Sequence, residues 1–289
     1  MNKDIKILKF DEFPALLKEI TDPPKELFLR GELPSQEENK FLCVVGARKY
    51  TSYGKEVCAK LVSELAGYPV IVVSGLAIGI DSIAHKTALD VGLKTIAIPG
   101  SGLEKSVIYP SMHKGLAEKI VADGGALLSE FEPDFKATPW GFPQRNRIMA
   151  GISHAVLVIE AEKRSGTLIT SRLALEYNRD VMTVPGSIFS KNSEGPHMLI
   201  RLGATPVTCG DDILEVLKLK KKDSSEKFYS LDDLSEEEKL IIQLLKEPLE
   251  KDELIREMKM PVAQANILLS TMELKGIITE EMGKVVLRK

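Results

Sequence analysis

The run Gly141-Phe142-Pro143-Gln144-Arg145-Asn146-Arg147 sets two arginines around an asparagine with no acid among them. Trp140 and Phe142 stand just upstream. Cations interleaved with aromatic rings suit a single nucleic-acid strand, charge meeting phosphates and ring faces meeting bases. The apolar Ile148-Met149-Ala150 follows at once, so Arg145 and Arg147 are expected in the first turn of a helix. There they would oppose the macrodipole, at about 1 kcal/mol or less each, unless an anion offsets them.

Other segments end apolar runs in groups of the same kind: Gly46-Ala47-Arg48, Ser74-Gly75 with Gly79 beyond, Pro99-Gly100-Ser101-Gly102, Lys163-Arg164-Ser165-Gly166-Thr167 and Pro185-Gly186-Ser187. Glycines let a backbone approach a ligand, helix N-termini aim N–H groups at it, and small hydroxyls add donors. One such turn is what any strand-to-helix connection needs. Five together read as a wall for phosphates. Asp81 and His85, four apart on one helix face, are a rival centre, but only lone serines stand near in sequence as nucleophiles. That pair reads as a helix-start carboxylate with an i,i+4 partner. The dinucleotide fingerprint GxGxxG is absent, so no cofactor is expected.

These groups need a scaffold that gathers strand ends. Short apolar runs at 41–45, 70–75, 94–102, 126–131, 155–161, 180–187 and 204–208 alternate with helical stretches at 53–66, 80–91, 112–121, 145–152, 167–177, 197–202 and 211–219. Strands apolar on both faces, alternating with helices, predict an α/β fold: a Rossmann-like, doubly wound, mainly parallel sheet over residues 39–219. Ligands of such sheets bind beyond the carboxyl ends of the strands. Residues 1–38 read as a lead-in packing on this core, and 220–235 as a charged linker. In 236–289, three helices, the first capped by Ser235, and a terminal hairpin predict a small winged-helix-like domain. That module holds 9 Lys/Arg against 11 Asp/Glu, and its third helix carries only Glu273 and Lys275 as charges. This points to protein contact or a structural role, not to gripping a duplex.

The formal net charge is −3, so an anion site must be a local patch. Cys43, Cys58 and Cys209 form no metal-binding spacing and are expected as buried small hydrophobes in a reducing compartment. No apolar run approaches the ~18 residues of a membrane span, and a cytoplasmic protein is expected.

Taken in order, the stretches 46–54, 74–89, 99–110, 142–153, 158–187 and 194–204 resemble the DNA-processing protein DprA (Smf) family over roughly residues 40–215. The resemblance implies a non-enzymatic, single-stranded-DNA-binding homodimer that loads RecA recombinase in natural transformation. It implies a DNA pocket lined by Arg48, Phe142, Arg145, Asn146, Arg147, Ser165, Gly166 and Thr167, with Ser74-Gly75 at a neighbouring strand end and Lys191 in the loop after Ser187. His197 stands where the family usually has Asn. Two rivals on related folds remain: a nucleotide phosphoribohydrolase, whose Pro-Gly-Gly-x-Gly-Thr-x-x-Glu run is absent here, and a nucleotide-sensing module.

Overall fold

A computed structural model describes residues 4–220, 234–245, 248–275, 277–281 and 283–287. They fall into two compact units, Met1–Lys220 and Lys221–Lys289. Most of the expected linker, 221–233, lies outside the described residues.

The first unit runs β1 (Ile5–Lys9), α1 (Ala15–Lys18), β2 (Glu26–Gly31), β3 (Lys40–Val45), α2 (Ser52–Ser63), β4 (Val70–Ser74), α3 (Ile80–Asp90), β5 (Thr95–Ala97), α4 (Lys114–Ala122), β6 (Ala126–Ser129), α5 (Gly141–Ile152), β7 (Ala155–Val158), α6 (Thr167–Glu176), β8 (Asp180–Thr183), α7 (Glu194–Arg201), β9 (Thr205–Pro206) and α8 (Gly210–Val216). The sheet order is β1-β2-β6-β5-β4-β3-β7-β8-β9. From β6 to β9 all pairs are parallel.

Alternate residues of one strand serve opposite layers, because side chains switch faces every residue. Phe41, Cys43 and Val45 of β3 join the α1, α5 and α6 side, with Leu17, Ile148 and Ala174. Leu42 and Val44 join the α2, α3 and α8 side, with Leu61, Ala84 and Ile213. Both faces are covered, as the continuous apolar strands require.

The lead-in does more than pack on the core. β1 and β2 extend the sheet antiparallel, β2 pairing with β6. Arg30 of β2 locks on with two bonds to Glu118 of α4, at 2.9 and 2.7 Å. No strand pattern in the sequence marks either segment.

Strand order fixes where a ligand can sit. The chain enters the parallel sheet at β3, winds outward to β6, and returns on the other side of β3 as β7. The β3–β7 boundary is the switch point, where the following connections diverge to opposite faces and leave a crevice.

The second unit holds α9 (Glu236–Leu244), β10 (Leu249–Glu250), α10 (Lys251–Glu257), α11 (Val262–Leu274), β11 (Ile278–Glu281) and β12 (Lys284–Leu287). Ser235 and Glu238 form a capping box on α9. The expected hairpin is β11–β12, and β10 adds a third strand. Its own core includes Ile241, Leu254, Leu269, Met272 and Val285. Among the described residues no helix is long and apolar enough to cross a membrane.

Candidate nucleic-acid interface

A pocket of about 700 Å³ opens at the switch point, lined by groups from β3, α5 and α6 and their connecting loops. Gly46-Ala47-Arg48-Lys49 leaves β3 along one wall; Arg164-Ser165-Gly166-Thr167 leads into α6 along another; Phe142, Arg145 and Asn146 of α5 close it.

The wall after β3 is held from below. Glu160, 3% exposed, accepts from the Thr51 N–H at 3.0 Å, from the Thr51 hydroxyl, and from Asn192 Nδ2 at 3.2 Å. Asn192 Nδ2 also donates to the Lys49 carbonyl at 2.9 Å. The loop carrying Arg48 is therefore fastened just beyond it, at Lys49 and Thr51. Gly79, with φ of +92°, lets α3 start against it; a Cβ there would meet the Ala47 carbonyl and Arg48 Cα.

Arg48 itself is exposed and forms no ion pair among the described residues. Its guanidinium carbon lies 5.2 Å from the Phe142 ring centroid, within cation–π range. Phe142 is half-buried, with Tyr109 at 5.6 Å between ring centroids. Lys49 and Arg164 add two further exposed cations to the lining.

The two arginines of the opening run part company. α5 begins at Gly141, two residues before Pro143, so both fall in its second turn and the expected conflict with the helix dipole does not arise. Arg145 is 5% exposed and turned into the pocket floor. It donates to the Gly75 carbonyl at 2.6 Å, to the Ile98 carbonyl, and through Nε to Asn146 Oδ1 at 2.9 Å. Burial lowers its pKa, and the charge of Asp81 opposes that. Asp81, also buried, accepts from the Gly75 N–H at 3.1 Å. Burial raises its pKa, and Arg145 with backbone N–H groups opposes the rise. The floor thus holds a buried cation and a buried carboxylate that meet through Gly75, Arg145 on its carbonyl and Asp81 on its N–H.

Arg147 does not line the pocket. It pairs with Glu130 and donates to the Asp22 carbonyl at 2.8 Å, tying α5 to the lead-in and to the end of β6. The Ser74 hydroxyl is buried and donates to the Val44 carbonyl at 2.6 Å. Gly75 sits against the Arg145 guanidinium, where a Cβ would collide with it. Neither lines the pocket. Ser165, Gly166 and Thr167 do, with Thr167 Oγ1 donating to the Gly46 carbonyl at 3.2 Å and Asn146 Nδ2 reaching the Gly166 carbonyl at 3.4 Å. Lys191 is exposed beside Asn192, outside the lining.

The Asp81–His85 pairing is not made. Thr95 Oγ1 donates to the Val72 carbonyl at 2.7 Å and so accepts from His85 Nδ1 at 2.7 Å. His85 is a neutral core side chain, its pKa lowered to about 3 by burial. His197 donates from Nε2 to the Gly186 carbonyl at 3.0 Å and steadies the loop after β8. Cys43 and Cys58 are buried and free, whereas Cys209 is only half-buried. Glu160 and Asn192 carry no local sequence signature, because their bonds are long-range.

A mainly parallel, open sheet with a cationic, aromatic-rimmed crevice at its switch point defines a Rossmann-like protein. The chain belongs to the DNA recombination-mediator protein A family, whose model matches residues 5–218. A second model, the DprA winged helix domain, matches residues 229–284. The Escherichia coli protein Smf is 45% identical over 206 residues, 71% of this chain but 54% of that one, so the match spans about half of that relative's length. The X-ray structure of DNA processing protein A from Streptococcus pneumoniae superposes with a TM-score of 0.69 at 38% identity, covering 76% of each chain. A Helicobacter pylori DNA processing protein A, whose structure addresses its single-stranded DNA binding mode, gives 0.66 at 28% identity, covering 75% of this chain and 97% of that one.

Proposed function

We propose that this protein binds single-stranded DNA in the switch-point pocket, without catalysing a reaction, and loads RecA recombinase onto it in the cytoplasm during natural transformation. The observation that carries the reading is the exposed Arg48, in no ion pair among the described residues, standing over Phe142 at the pocket rim. One nucleotide then meets a cation for its phosphate and a ring for its base. Lys49, Arg164 and the Ser165-Gly166-Thr167 turn supply further phosphate contacts, and Lys191 supplies one beyond the rim. Arg145 and Asn146 shape the floor, Ser74 and Gly75 support it from below, and Arg147 braces α5.

A homodimer through the Rossmann-like domain fits the same unit. Leu175 of α6 and Leu202 after α7 are 53% and 67% exposed around one shallow surface, with Ile169 at 41%. Exposed apolar side chains gathered in this way mark contact surfaces. Leu202→Glu is expected to halve the mass read by light scattering.

The deciding experiment is fluorescence anisotropy with single- and double-stranded oligonucleotides of one sequence. Preference for the single strand, weakening with salt, supports the reading. Equal affinity for both, or base release from nucleoside monophosphates, overturns it. RecA filament formation on the same oligonucleotide, with and without the protein, tests the loading step.

A further inference from the structure

Among the described residues, the two most exposed large apolar side chains are Phe189 at 92% and Ile188 at 80%. They lie in the loop between β8 and α7, and that loop is fastened. The Tyr53 hydroxyl donates to the Pro185 carbonyl at 2.7 Å, and Asn192 ties the far end to Lys49. Within it the Phe189 N–H reaches Ser187 Oγ at 3.3 Å and the Ser190 N–H reaches the Ser187 carbonyl at 3.0 Å. A phenylalanine held out to solvent on a braced loop gains nothing from burial in this fold.

Its neighbours say what it meets. Facing it, Tyr50 just before α2 and Tyr53 in the first turn of α2 are 45% and 48% exposed. Lys49 and Lys191 stand exposed beside them, neither in an ion pair among the described residues. Lys49 and Asn192 also line the pocket, so this surface continues from the pocket rim. The opposite rim has exposed rings too, Tyr109 and Trp140, but the segment leading to Trp140 carries exposed Glu132 and Asp134 against one exposed Lys136, whereas residues 188–193 carry Lys191 and no acid. The balance of charge therefore favours the Phe189 side as the one on which a strand leaves the pocket.

We propose that Phe189, Tyr50 and Tyr53, interleaved with Lys49 and Lys191, form a second stretch of the single-stranded nucleic-acid track, stacking bases of the strand as it leaves the pocket. This rests on the pocket reading above. Base–ring stacking with lysines on the backbone is tolerant of sequence, so the track lengthens the footprint without adding base preference.

The test compares oligothymidylates of about 4 and about 20 nucleotides, the shorter filling only the pocket. Phe189→Ala is expected to weaken binding of the longer one about fivefold to a hundredfold, to leave the shorter one unchanged, and to leave the salt slope alone. Phe189→Tyr keeps the ring and is expected to keep the affinity. Lys191→Ala is expected to reduce the salt slope on the longer oligonucleotide only. No effect of Phe189→Ala on either length, or an equal effect on both, overturns the proposal. A change in mass by light scattering with unchanged affinity for the longer oligonucleotide also overturns it and makes the loop a contact between copies of the chain. Phe142→Ala separates the two readings, because loss of both lengths upholds the pocket whatever Phe189 does, and loss of neither overturns the pocket itself.

Discussion

The Arg48 guanidinium carbon stands 5.2 Å from the centre of the Phe142 ring, joining the loop after β3 to the first turn of α5. Cation and ring form one surface, so their contributions to binding separate by salt. Arg48→Ala is expected to weaken oligonucleotide binding and to lower the salt slope by about 0.7, one phosphate contact on a single strand. Arg48→Lys should keep the slope but lose affinity, since an ammonium has no planar face for the ring or a base. Phe142→Ala should cost about 1–3 kcal/mol with the slope intact. Anisotropy titrations at several salt concentrations read all three, and an unchanged slope in Arg48→Ala would remove Arg48 from the phosphate path.

Five residues beyond Phe142 on α5 the same side-chain type as Arg48 does the opposite job. Arg147 is paired with Glu130, whose carboxylate is largely buried. Arg147→Ala leaves that carboxylate without its cation, a loss in the range of about 3–5 kcal/mol for a buried pair. Thermal unfolding should show a clear drop in Tm, while oligonucleotide affinity stays that of the wild type. Burial raises the Glu130 pKa against the pull of Arg147. Removing the arginine removes that pull and raises the pKa further. The variant's deficit should therefore shrink as pH falls and Glu130 takes up its proton. An affinity loss in Arg147→Ala without a Tm change would return Arg147 to the phosphate wall.

Burial holds two histidines neutral, His85 with a pKa near 3 and His154 with a pKa lowered to about 4. His154 Nδ1 accepts the Phe41 N–H at 2.9 Å, a bond that protonation would break. A histidine in the unfolded chain takes up its proton near pH 6.5. Between there and the folded values the unfolded state binds more protons, so stability falls as pH is lowered from about 6.5 to 4. Each fully buried histidine adds up to about 1.4 kcal/mol per pH unit to that slope. Chemical denaturation across this range should show a shallower slope in His85→Leu than in the wild type, and equal slopes would mean that His85 does not stay neutral in the fold.

What the sequence made legible was what local pattern encodes. The parallel strands and their helices could be read because apolar runs and Gly-Ser turns repeat, and the strand-end rule then located the pocket. β1 and β2 escaped because Ile5–Lys9 buries only Ile5 and Leu8, and Pro23-Pro24 made the segment look irregular. The arginines escaped for another reason: Arg145 and Arg147 carry one chemistry and differ only in what the fold brings to them. Gly75 and Ile98 are distant in sequence from Arg145, as Asp22 is from Arg147. No spacing rule reports such partners.

The winged-helix unit gives the last prediction. It has its own apolar core, and the Met1–Lys220 unit has separate ones, so each can fold alone. In a duplex-binding winged helix the third helix carries the basic side chains that enter the groove. Here α11 offers exposed Val262 and Ile267 instead, and Lys275, just past its end, is held by Glu238 at 2.7 Å. Nothing on that helix can release counterions from DNA. A fragment of residues 1–220 should therefore bind single-stranded oligonucleotides within about twofold of the full chain, and with the same salt slope. A tenfold loss, or a slope lower by a unit or more, would put the second unit on the DNA. Matched affinities would leave its apolar helix face for a protein.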